Sequence, residues 1–423
     1  MSNRSKQPRG KPTRHLFGKN TFDYEASLGA FKSRLSSKKI LVLFVLIAGV
    51  FLQMNQNPYP RTIELPYNSE KFTPPKIPAD NPQSIEGIAL GRLLFYDKLL
   101  SNNNQQSCGS CHIQKLAFTD GQKRAIGSKG DTVLRNTMSL INLAWGNQFF
   151  WDGRVKSLEG LVHHPITDTL EMNRDTSQLI SDLKEHSYYP ELFQRAFPEQ
   201  AINMETLSKA LAQFVRTITA EAQDLPDSIK IAYQLNDINL SPTQNNLPYE
   251  IFSLEPEGLS LSKADTQTYA AFKKQSFSTD MQTEASFQGM YFRLGIMCTP
   301  CHTGESFGGA LMANNLLDKN QNTLFKVPSL INILHTAPYM RDGRFDSPDE
   351  ILEHYDAHIS ELHLVNTHLN IPPIPNLITE YDKKHFKKFL EIFNDSTVIQ
   401  RDALSNPFEA EDFSWKKYMS KEK

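Results

Sequence analysis

Cysteine is scarce in this 423-residue chain. There are four, all in two short motifs, so none is left to pair as a structural disulfide. An excess of one charge is missing too. Lys and Arg number 45 against 47 for Asp and Glu, a formal net charge of -2. That balance gives no basis for a nucleic-acid partner or a strongly acidic one. The alternating apolar–polar pattern of half-buried strands is rare. A long uninterrupted apolar run occurs once, over residues 40–52. The remainder, 39% hydrophobic and 22% charged, suits a globule with its own core, and the length suggests about two to three domains.

The cysteines are spent on Cys108-Gly109-Ser110-Cys111-His112 and Cys298-Thr299-Pro300-Cys301-His302. Cys-x-x-Cys-His is the attachment signature of a c-type haem. The two thiols form thioether bonds to the porphyrin, and the adjacent imidazole reaches the iron as proximal ligand. A zinc half-site or a thiol redox pair would use the cysteines but leave the following histidine unexplained, twice. Two covalently bound haem c groups are therefore expected.

Residues 1–39 are basic and polar and have no expected fold of their own. The apolar run 40–52 would cover about 20 Å as a helix, short of the roughly 30 Å hydrocarbon core. That length suits a signal-peptide h-region. The long basic segment before it, and the lack of a small-residue cleavage site after Leu52, suit an uncleaved anchor equally well. Either reading exports the rest of the chain to the periplasm, with membrane attachment through 40–52 in the second. Residues 53–82 are Pro-rich and read as an extended linker.

The folded part is expected to be mainly α. Ile85, Ile88, Ala89, Leu93 and Tyr96 recur at helical spacing over 84–96. Leu207, Leu211, Phe214, Val215 and Ile218 do so over 204–219. Residues 287–294 read as a helix leading into the second motif. Ser347-Pro348-Asp349-Glu350 is a helix start with a capping box, and a last amphipathic helix is expected over 384–393. The layout is two cytochrome c-like haem domains, 83–222 and 285–408, joined by an irregular connector over 223–284 and followed by a tail, 409–423. The connector is longer than a compact protein needs.

Over about 77–408 the chain resembles the bacterial di-haem cytochrome c peroxidases, and within that superfamily their MauG-like branch. The resemblance is carried in order by Ala89-Leu-Gly-Arg-Leu-Leu-Phe95, the first motif, Arg135-Asn136, Phe150-Trp-Asp-Gly-Arg154, Pro165 with Glu171-Met172, the second motif, Pro328-Ser-Leu330, Thr336-Ala-Pro-Tyr339 and Glu353-His-Tyr355. It implies that the His112 haem reacts with hydrogen peroxide and that the His302 haem passes electrons. Glu171 matches a distal acid–base glutamate and Pro165 a distal-pocket proline. Trp151 matches an inter-haem tryptophan. Tyr355 stands where this branch has a tyrosine ligand to the second iron; His354, His358 and Met340 are its competitors. Asn136, Thr336 and Pro338 match an inter-haem calcium site. Leu161 departs from the pattern, which usually has a glutamine near there, and Leu makes no hydrogen bond.

Many relatives carry a loop histidine that blocks the reactive haem. Here no histidine lies between His112 and His163, so the loop 125–135 cannot supply one, and an open sixth site is expected; His163 and His164 are the residues that could fill it. The function implied is peroxide reduction with electrons from a small donor protein of cytochrome c or cupredoxin type. Two rivals stand beside it: oxidation of a protein side chain, which Tyr355 favours, and plain electron transfer, which Glu171 disfavours.

Overall fold

The computed structural model describes residues 59–222, 294–295, 297–304, 306–308, 311–318, 323–369, 378–410 and 413–421. The basic segment 1–39, the apolar run 40–52, the start of the linker, the connector 223–284 and the helix expected over 287–293 lie outside them. Among the described residues the fold is mainly helical. Its only named strands are β1 (Met312–Ala313) and β2 (Phe325–Lys326), paired antiparallel with Met312 opposite Lys326.

The centre is α1 (Ile85–Tyr96), capped by Ser84, whose side chain accepts from the Gly87 N–H. The periodicity puts one face of this helix inward. The structure buries almost all of it: Leu90 and Leu94 are as enclosed as Ala89 and Leu93, while Ile85, Ile88 and Tyr96 are only half-buried. A helix that is apolar nearly all round is surrounded on all sides, and α1 is. Helix α2 is the single turn Cys108–Cys111. Then α3 (Leu158–Thr167), α4 (Thr176–Glu185), α5 (Tyr189–Ala196) and α6 (Met204–Arg216) follow. Helix α6 crosses α1 at backbone distance, since a Cβ on Gly91 would fall 2.0 Å from the Ala210 carbonyl oxygen. All five residues expected on its inner face are buried. It stops at Arg216, three residues before the expected end, because Thr217 turns its hydroxyl onto the Phe214 carbonyl at 2.6 Å.

In the second half, α7 (Pro348–Val365) starts as the sequence predicts. Pro348 is in its first turn, and Ser347 and Glu350 exchange cap hydrogen bonds. Helix α8 (Glu380–Leu390) begins four residues earlier than expected, on a Thr379–Asp382 capping box. The chain then turns back onto α1. Arg92 Nε donates to the Ser405 carbonyl at 2.8 Å, the Tyr96 hydroxyl to the Leu404 carbonyl at 2.5 Å, and Tyr418 of α9 (Trp415–Lys421) to the Ala89 carbonyl at 3.2 Å.

The two halves repeat each other at one constant sequence offset. Asn142 and Asn332 are both left-handed, with φ of 60° and 58°, as are Phe150 and Met340, and Gly153 and Gly343. The isolated bridge Phe149–Val155 has its counterpart in Tyr339–Phe345. Under this repeat Asn136 corresponds to Lys326 and Trp151 to Arg341. The halves join through a reciprocal pair of backbone bonds between those residues. Asn136 N–H donates to the Arg341 carbonyl and Lys326 N–H to the Trp151 carbonyl, each at 2.8 Å.

Candidate haem sites and the junction between them

Each motif is a short helical turn that sets its two cysteines three residues apart, on one face. In the first, the His112 N–H closes on the Cys108 carbonyl at 2.9 Å. The residue after Cys108 has to be glycine, because a Cβ there would lie 2.4 Å from the Tyr96 ring. His112 Nδ1 lies 2.8 Å from the Phe118 carbonyl, so Nδ1 carries the proton and Nε2 keeps its lone pair. His302 repeats this, with Nδ1 at 3.0 Å from the Pro328 carbonyl and 3.3 Å from that of Phe307. Burial keeps both rings neutral, pulling His112 below its usual value and His302 down to about 4.

Burial also pushes the thiols up, Cys108, Cys298 and Cys301 to about 12 and Cys111 to about 11. A thiol redox pair needs a low-pKa thiolate, and among the described residues no cluster of three His, Cys, Asp or Glu is placed to hold a metal ion. Two neutral thiols and an imidazole held through Nδ1 by a backbone carbonyl, set in an apolar cavity, fit a covalent haem.

Beside the first motif lies a cavity of about 410 Å³ that brings together Cys108, Cys111, His112, Trp151, Pro165 and Glu171. Leu161 and Pro165, one turn apart on α3, face into it. His112 is the only histidine among its described lining residues; His163 and His164 do not reach it.

Glu171 is half-buried. Burial, reinforced by Asp168 and opposed by Arg154, raises its carboxyl to about 7. Its backbone is held by the 125–135 loop, where the Ser128 N–H donates to the Glu171 carbonyl at 2.7 Å and the Ser128 hydroxyl to that of Met172 at 3.0 Å. The close approach requires Gly127, since a Cβ there would fall 2.0 Å from the Leu170 carbonyl oxygen. Gly127→Ala should therefore displace the Glu171 segment and destabilise the protein by about 1–3 kcal/mol, measurable by urea unfolding of the holoprotein.

The second cavity, about 190 Å³, is lined by Cys298, Cys301, His302, Tyr355 and Met340, and also by Asn136, Thr336 and Pro338. Tyr355 and Cys301 belong to the same apolar cluster. Burial drives the Tyr355 phenol well above its usual value, the Cys301 and Cys298 thiols add to that, and a hydrogen bond with the Asn315 side chain opposes it. The competitors divide. Met340 lines the cavity, where its sulfur lies 3.4 Å from Asn315 Nδ2. His354 Nε2 instead meets the Asn315 carbonyl and His358 Nδ1 the His354 carbonyl, each at 2.7 Å, and neither histidine lines the cavity.

Trp151 lines both cavities and is buried, with Nε1 donating to the Asn136 carbonyl at 2.8 Å. The sequence reading missed Arg154, Asp168 and Asn315 as site residues, and Lys326, which also lines both cavities. Their individual residue types gave no signal. The internal repeat would have marked Lys326 as the counterpart of Asn136.

A family model described as di-haem cytochrome c peroxidase matches residues 85–227. The methylamine utilization protein MauG of Methylorubrum extorquens is 31% identical over 294 residues, 66% of this chain and 70% of the relative. Cytochrome-c peroxidase IdrP1 of a Pseudomonas species is 28% identical over 335 residues, 76% of this chain and 85% of the relative. The crystal structure of a MauG-like protein associated with microbial copper homeostasis superposes with a TM-score of 0.55 at 22% identity, covering 81% of this chain and 100% of that one.

Proposed function

The chain belongs to the di-haem cytochrome c peroxidase family that includes MauG, and from that premise we propose that it reduces hydrogen peroxide to water at the His112 haem. The two electrons would come from a small exported donor protein, of cytochrome c or cupredoxin type, and the haem that Cys298, Cys301 and His302 would hold would supply the redox chemistry to pass them on. The haem at His112 supplies, when bound, the redox chemistry that cleaves the O–O bond. The chain's own residues supply the proton handling. Glu171, held near 7, is poised to take the proton from one peroxide oxygen and return it to the other. Pro165 and Leu161 narrow the space beside it without competing for hydrogen bonds. Trp151, common to both cavities, is the aromatic bridge for charge between them.

The observation that carries this reading is the asymmetry of two sites built on one repeat. Glu171 lines the cavity of His112, and Tyr355 lines that of His302. Tyr355 also favours a second reading, a MauG-like oxidase that draws its electrons from a side chain of a bound protein. Rapid mixing of the holoprotein with peroxide, with and without reduced cytochrome c, separates them. Turnover of the cytochrome is the expected result. A long-lived oxidised species without turnover would favour the second reading, and no reaction at all would leave a plain electron-transfer cytochrome.

The same proposal includes export to the periplasm through 40–52, as a cleaved signal or a retained anchor. The intact mass of the mature protein would distinguish the two and count the haems. It also includes one calcium ion at Asn136, Thr336 and Pro338. Asn136 Nδ2 donates to the Gln122 carbonyl at 2.9 Å, which leaves Oδ1 for a cation. Without carboxylate ligands such a site binds weakly, so dialysis against a chelator followed by metal analysis tests it.

A further inference from the structure

Lys326 ends β2 with its backbone in the second half and its side chain lining both cavities. It is 5% exposed. Among the described residues no carboxylate pairs with it. Its ammonium instead lies 5.6 Å from the centre of the Phe149 ring, and Phe149 lines the first cavity and not the second. The other cations lining the cavities already have carboxylates. Arg135 and Arg154 both meet Asp152, at 2.8 and 3.0 Å, and Arg341 meets Asp318.

A buried ammonium without an anion is costly, and an aromatic face offsets only part of that cost. The consequence shows at Lys326 itself, where burial alone pulls the side chain down to about 8. A haem c carries two propionate carboxylates, and one held in these cavities would supply the missing anion. We propose that the Lys326 ammonium pairs with a propionate of the haem attached at Cys108 and Cys111, so that the second half of the chain holds the haem of the first.

The pairing runs one way. Asn136, which takes the place of Lys326 in the repeat, is uncharged and spends its side-chain amide on the Gln122 carbonyl. Among the described residues Lys326 is thus the lining cation with no carboxylate partner, and its ammonium lies on the Phe149 side, in the cavity that Glu171 also lines. A positive charge there favours the reduced iron of that haem over the oxidised iron. Lys326 is a positioning residue in this scheme. The inference rests on the presence of two haems and not on the peroxide reaction. No readout below uses peroxide, so the failure of one does not carry the other with it.

The test is spectroelectrochemical titration of both haems in the K326M and K326R holoproteins, with haem content checked by intact mass. In K326M the ferrous-to-ferric ratio of the first haem at a fixed applied potential should fall about tenfold, equivalent to about 59 mV for a one-electron couple. The second haem should move less, and K326R should restore most of the shift. A fall of threefold or more in the first haem supports the pairing. A smaller change, or a change confined to the second haem, overturns it. Should K326M fail to take up haem, a crystal structure of the wild-type holoprotein decides. The ammonium within hydrogen-bond distance of a propionate oxygen of the first haem supports the pairing; an ammonium turned away from that haem refutes it.

Discussion

Glu171→Gln should slow the reaction of the oxidised holoprotein with hydrogen peroxide by about 10²- to 10⁴-fold, the usual contribution of a positioned acid–base group, while both haems stay attached. The active form of Glu171 in the first step is the carboxylate, and burial holds its carboxyl at about 7. The wild-type rate should therefore rise with pH up to about 7 and level off above it. Below that value it should fall by about tenfold for each pH unit, and the variant should lose this dependence.

Stability should move the other way. A carboxyl whose pKa is raised by folding binds more protons folded than unfolded. It therefore opposes folding at any pH above its unfolded value, most fully above about 7. An uncharged glutamine lacks that penalty, so the variant should unfold at the same or a higher temperature at pH 8. Stopped-flow kinetics with a thermal scan checks both. Unchanged peroxide kinetics would remove Glu171 from the mechanism. A fall in melting temperature would assign the rate loss to a structural role.

Tyr355→Phe should change the other haem. Burial sets the phenol against ionisation, so a phenolate would persist there only with a cation against it, which ferric iron held by His302 would supply. An anionic oxygen ligand favours ferric over ferrous iron. Axial ligands move haem potentials over about 0.8 V. Removing this one should raise the potential of the second haem on the order of a tenth of a volt or more and alter its low-spin spectrum. Met340, which lines the same cavity, would then be the available replacement. An unchanged spectrum and potential would show that Tyr355 is only an aromatic of the cavity wall. The variant also bears on the two enzymatic readings, because Tyr355 is the residue that favours side-chain oxidation.

Much of this was legible in the sequence because it depends on local chemistry. The Cys-x-x-Cys-His spacing is a property of one helical turn. The start of α7 followed from Ser347, Pro348 and Glu350, which act within four residues of one another. The start of α8 was misjudged for the converse reason. Its capping box, Thr379 with Asp382, precedes the apolar stripe that periodicity detects. Helix α1 was read as one-sided because periodicity records which residues are apolar and not how many neighbours surround them. Gly91 was decisive there, and its meaning appears only when the Ala210 carbonyl arrives from more than a hundred residues away.

The sequence by itself thus pointed to the cofactor chemistry, with two covalent haems expected at His112 and His302, and to the family to which the chain belongs. It also supplied the candidates Glu171, Pro165, Trp151 and Tyr355. Tertiary structure decided how they are grouped, with Glu171 and Pro165 in one cavity, Tyr355 in the other, and Trp151 shared between them. It also decided that Lys326, unremarkable as one of 45 basic residues, is a buried cation at the junction. The physical reason is that ligation needs only the right donor atoms at fixed short spacing, which a turn of helix guarantees. Burial and charge pairing depend on what the rest of the chain brings alongside, and here that is the reciprocal docking of Asn136 on Arg341 and of Lys326 on Trp151.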